Sequence, residues 1–173
     1  ERLLLELQMP DYATTATLRK IQSSIFLFHS PISVLDNGIM DSSHQHSIQQ
    51  LFSLFLKKDK VKNYEVLSRI NYCVAVLLEK NKSLPLTVEK YYLEAIFWGV
   101  LSKNNNLVLS VLSSLTSFYI NTKRNDPVQA NDLFLKISSQ LDNYAYNAIA
   151  SLDKAVIYYN NSQPNLADAI VNR

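Results

Sequence analysis

The sequence predicts an all-α fold in which antiparallel helical hairpins stack into an α-solenoid. Three observations lead to this prediction. The last third of the chain repeats itself at an offset of 37 residues. Apolar residues recur at spacings of three and four along most of the chain, which is the periodicity of helices and not of strands. The 173 residues include only two glycines, fewer than doubly wound α/β folds or hairpin-rich β folds require for their turns.

The repeat becomes visible when residues 107–134 are laid over residues 144–171 without a gap. Identical residues then coincide at five positions: Ser114 with Ser151, Leu115 with Leu152, Ile120 with Ile157, Pro127 with Pro164, and Ala130 with Ala167. These are apolar positions, the proline that opens a second helix, and a small residue that permits close packing. A fixed period between about 20 and 50 residues is typical of solenoids.

Over the first 63 residues the sequence predicts helices that are less regularly spaced than those that follow. Residues 1–8 have the rhythm of a helix end, and a second helix is expected over about 11–29. Turn-forming residues predict a loop over 30–41. A third helix follows it, with an apolar stripe formed by Ile48, Leu51, Phe52, Leu54 and Phe55.

From residue 64 onward the spacing predicts regular hairpins. We expect helices over 64–80, 86–103, 107–122, 127–139 and 143–160, and a last one that opens at Pro164. Proline in the first turn is a helix-start signal, and Asp126 before Pro127 is a suitable cap. The helices over 107–122 and 143–160 are apolar on more than one face, so each must pack against several neighbours to leave water. Leu115 and Leu152 are therefore both predicted to be core residues.

Composition and charge exclude several classes of protein. The net charge of +2 is too small for a nucleic-acid binder that relies on electrostatics. The single cysteine, Cys73, cannot form an internal disulfide and is typical of a buried residue in an intracellular protein. No apolar run approaches the roughly 18 residues of a membrane span. Both termini fall within helical patterns without caps, so we expect a fragment of a longer protein that forms a single helical-repeat domain over 1–173.

The spacing of Ala130, Phe134 and Ile137 resembles that of the second helix in tetratricopeptide and pentatricopeptide repeats. The resemblance covers residues 64–173. The segment Tyr146-Asn147-Ala148-Ile149, preceded by Asp142, resembles the start of pentatricopeptide repeats, which bind single-stranded RNA. The resemblance implies that Ser110 and Asp142 form one base-reading pair and that Asn147 begins the next. The alternative is that Asp142 caps a helix and Tyr146 packs in the core.

No constellation of residues predicts catalysis, a cofactor or a metal. His44 and His46 are two residues apart, and such positions diverge by roughly 200° on a helix. Lysines and arginines cluster at helix ends, where cations favour the negative end of the helix dipole. Tyr91, Tyr92, Phe97 and Trp98 could stack on bases, but their spacing favours core positions.

These observations predict a non-enzymatic scaffold or adaptor that binds partner proteins, or docks within a multi-subunit complex, through its helical repeats. An intracellular location in the cytoplasm or nucleus is expected. The first alternative is a pentatricopeptide-like protein that binds single-stranded RNA, for which a mitochondrial location is expected. The second is a helical accessory domain of a large enzyme.

Overall fold

The computed structural model describes residues 49–51, 53, 54, 61–123 and 127–171, and every regular element among them is an α-helix. Six helices are described from end to end: α1 (Tyr64–Lys80), α2 (Pro85–Leu101), α3 (Asn105–Thr122), α4 (Pro127–Gln140), α5 (Tyr144–Asn160) and α6 (Pro164–Val171). Their boundaries lie within about two residues of those predicted. The expected all-α class is confirmed for the described residues. The helices predicted over 1–8 and 11–29 lie outside them.

The chain divides into two compact units, Glu1–Asn104 and Asn105–Arg173. The first contains α1 and α2, and the second contains α3 to α6. Each unit is therefore considered by itself.

Local signals explain where the helices begin. Proline occupies the first position of α2, α4 and α6, where its missing N–H costs nothing. The side chains of Asn63 and Asn143 cap α1 and α5, each accepting a hydrogen bond of 3.2 Å from a backbone N–H three residues later. The interpretation of Asp142 as the cap of α5 is therefore wrong, because Asn143 takes that position.

The helices end without glycine. Residues with positive φ follow five of them: Lys82, Lys103, Lys123, Asp142 and Ser162. After α1, α4 and α5, these residues form Schellman motifs. At α1, for example, the N–H of Ser83 donates to the carbonyl of Leu78, and the N–H of Lys82 donates to the carbonyl of Glu79, both at 2.9 Å. Because these bonds satisfy the last carbonyls, non-glycine residues are held in the left-handed region.

In the first unit, α1 and α2 form an antiparallel pair. The ring of Tyr64, at the start of α1, stacks on Trp98 near the end of α2, with centroids 5.6 Å apart. Ser68 donates a buried hydrogen bond of 2.7 Å to the carbonyl of Ala95. The face of α2 against α1 consists of Val88, Tyr92, Ala95 and Gly99, all buried. The small residues Ala95 and Gly99 allow the helix axes to approach closely.

In the second unit, α3 and α5 lie side by side and run in the same direction. The side chain of Asn143 donates to the side chain of Asn106 at 3.4 Å, and these residues are 37 positions apart. The hydroxyls of Ser110 and Tyr146, which are 36 positions apart, are also hydrogen-bonded. Equivalent ends of the two repeated helices are therefore adjacent.

The helix α4 packs against both α3 and α5. The side-chain amide of Asn131 donates a buried hydrogen bond of 2.8 Å to the carbonyl of Ala150 on α5. The ring of Phe134 meets the ring of Tyr146 edge-on, with centroids 6.0 Å apart. The last helix, α6, packs against α5, with Ala167 buried.

Equivalent residues of the 37-residue repeat are not equally buried. Leu115 on α3 is 3% exposed, as predicted, but its counterpart Leu152 on α5 is 58% exposed. The prediction of Leu152 as a core residue is wrong. The two leucines occupy equivalent positions on equivalent helices, but burial depends on which neighbour covers the face, and among the described residues none covers this face of α5.

Candidate functional site

The residues proposed from the resemblance to read RNA lie in the second unit. Ser110 is bonded to the Tyr146 hydroxyl and joins α3 to α5. The side-chain amide of Asn147 donates to the Ser139 hydroxyl at 2.6 Å and joins α5 to α4. Asp142 is exposed, with a φ of 50°, in the turn between those helices. Each residue therefore has an observable place in the fold, while contact with RNA stays a prediction.

A long concavity lies in the first unit, beside the α1–α2 pair. This groove, called the α2 groove below, has a volume of about 960 Å³. Its described lining consists of Val61, Leu67, Asn71, Leu86, Glu89, Lys90, Leu93, Glu94, Phe97 and Trp98. Seven of these ten residues lie on α2. The groove therefore follows the outer side of that helix.

The α2 groove exists because α2 is apolar on two sides. Leu86, Leu93, Phe97 and Val100 are all exposed. They follow one another at spacings of seven, four and three residues, which places them along one stripe of the helix. This stripe is separate from the face that packs on α1.

Aromatic rings form the end of the groove near the carboxyl terminus of α2. Phe97 meets Trp98 edge-on with centroids 5.0 Å apart, and Trp98 in turn stacks on Tyr64. This contact fixes the Trp98 ring, while Phe97 remains more than half exposed. Rigid aromatic side chains of this kind are frequent binding anchors, since they bury a large area at little entropic cost.

One buried polar atom lies in the lining. Asn71 is buried on α1, and its side-chain amide donates to the carbonyl of Leu67 at 2.9 Å. Its side-chain oxygen, Oδ1, has no hydrogen-bond partner among the described residues. A buried acceptor without a donor costs about 1–3 kcal/mol.

The described lining of the groove includes three charged side chains, Glu89, Lys90 and Glu94. The ammonium of Lys90 lies 3.9 Å from the carboxylate of Glu94.

A second exposed apolar stripe lies on α5. Ile149, Leu152, Val156 and Tyr159 are all exposed and follow one another at helical spacing. The positions that correspond to the first three in the repeat are Leu112, Leu115 and Tyr119 on α3, and all three are buried. The same sequence pattern is therefore covered on α3 and uncovered on α5.

A smaller groove of about 390 Å³ lies beside α5 and α6. Lys154 lines it, and its ammonium donates to the carboxylate of Asp132 at 2.8 Å. That hydrogen bond raises the pKa of Lys154, so the group stays charged. Ser151, Tyr158 and Leu166 also line this groove, and its described lining residues do not form a nucleophile paired with a base.

Burial raises the pKa of several titratable side chains among the described residues, including Cys73, Glu79 and Asp153. Burial raises the pKa of the Cys73 thiol to about 12, so it is neutral and unreactive. Burial also raises the pKa of Glu79, although the hydroxyl of Tyr92 donates to its carboxylate at 2.6 Å and partly offsets this effect. Burial raises the pKa of Asp153, whose Oδ2 has no hydrogen-bond partner among the described residues.

Within residues 49–51, 53, 54, 61–123 and 127–171, no group of three or more histidine, cysteine or carboxylate side chains could hold a metal ion. None of the helices described here has both the length and the apolar character needed to cross a bilayer. No family model, curated protein or solved structure matches this chain.

Sequence reasoning missed the α2 groove, although its signal was present. The apolar residues of α2 fall on two separate stripes, and one partner helix can cover only one of them. Of the four aromatic residues predicted to be core, Tyr92 is buried, Tyr91 and Trp98 are partly exposed, and Phe97 is exposed. Assigning every apolar residue to a single core concealed the second stripe.

Proposed function

We propose that this chain is a non-enzymatic scaffold or adaptor, built as an α-solenoid of helical hairpins, that binds a partner protein within the cell. The observation that carries the proposal is the α2 groove, with its exposed stripe of Leu86, Leu93, Phe97 and Val100. Contiguous apolar surface of this kind marks interaction sites, because leaving it in water costs roughly 25 cal/mol per Å².

Two further observations support a repeat scaffold. The helices α3 and α5 run side by side in the same direction at the repeat offset, as the first helices of successive solenoid repeats do. The stripe on α5 adds an apolar face of the same kind as the one buried on α3. Such faces serve as stacking or docking surfaces in helical repeats.

The experiment that tests this function compares two leucine substitutions in one helical pair. Leu93→Ser removes an anchor of the α2 groove, whereas Leu84→Ser changes a residue that is 76% exposed and does not line the groove. Proteins captured from cells by the tagged chain are quantified, and the strongest candidate is purified and titrated directly. We expect Leu93→Ser to lower its affinity by tenfold or more and Leu84→Ser to leave it unchanged.

The same purified chain is used to test the RNA-binding alternative. Fluorescence anisotropy with labelled single-stranded RNA at about 50 and 200 mM salt measures binding to phosphates, which weakens steeply with salt. Sequence-selective binding that is lost on substitution of Ser110, Asp142 or Asn147 would replace the scaffold proposal. If no protein partner depends on Leu93 and no RNA binds, both proposals fail.

A further inference from the structure

We draw no further inference here: the strongest candidate, the exposed apolar stripe of α5 formed by Ile149, Leu152, Val156 and Tyr159, is an unpartnered helix face, and nothing in the structure shows what covers it.

Discussion

Replacing lysine by glycine should have opposite effects at two positions of the α1–α2 pair. Lys82 follows α1 with a φ of 52°, and the left-handed conformation costs a non-glycine residue about 1–2 kcal/mol. Glycine removes that cost but loses about 0.5–1 kcal/mol more conformational entropy on folding. Lys82→Gly should therefore increase the free energy of unfolding by about 0.5–1 kcal/mol.

Lys90 lies in the middle of α2, where glycine is unfavourable. Its replacement by glycine costs about 1 kcal/mol from helix propensity, and the loss of its ion pair with Glu94 adds a few tenths. The two substitutions should therefore differ by about 2 kcal/mol, although each converts an exposed lysine to glycine.

The assay is urea denaturation followed by tryptophan fluorescence. Trp98 is the single tryptophan of the chain and stacks on Tyr64 across the α1–α2 pair, so its emission reports on the unit that contains both substitutions. Lys82→Ala serves as a control, because it removes the lysine side chain without giving the backbone the freedom of glycine. If Lys82→Gly is no more stable than Lys82→Ala, the reasoning from backbone conformation is refuted.

Three further predictions concern burial. Leu115→Ala should destabilise the fold by about 2–5 kcal/mol, and Leu152→Ala by less than about 1 kcal/mol, because only Leu115 leaves a cavity; equal losses in urea denaturation would contradict the observed burial. Burial raises the pKa of Asp153 above its ordinary value of 3.8, so its contribution to stability is present below that pH and is lost as the pH rises through the folded-state pKa. Asp153→Asn should accordingly raise the denaturation midpoint at pH 7 and leave it unchanged near pH 3, whereas a larger gain at pH 3 would show that the sign is wrong. The Cys73 thiol, with a pKa of about 12, should react with a thiol reagent at pH 8 only when urea unfolds the chain, and rapid labelling of the native protein would disprove its burial.

Much of the helical organisation after residue 60 could be predicted from local signals. Pro85, Pro127 and Pro164 each open a helix where the sequence indicated, because proline fixes φ in the helical range and lacks only an N–H that the first turn does not use. The helix ends were less readable. Lys82 and Asp142 adopt a positive φ although neither is glycine, so the sequence does not indicate these helix ends. The hydrogen bonds that stabilise this conformation form only after the preceding helix has formed.

The candidate site could be predicted only in part. The spacing of Leu86, Leu93 and Phe97 is present in the sequence, but the same spacing describes a core stripe. The pairing of Ser110 with Tyr146 and of Asn147 with Ser139 was not readable at all, since each joins different helices.

For the residues that the structure describes, the sequence by itself determined the all-α class and where most helices begin, because caps, prolines and apolar periodicity act within a few residues of the chain. The tertiary structure alone decided which apolar face each helix buries. Leu115 and Leu152 occupy equivalent positions of a 37-residue repeat, yet the first is buried and the second is exposed. The physical reason is that a side chain is buried only where a second element covers it. The sequence of a helix specifies its own apolar face but not the element that packs against that face.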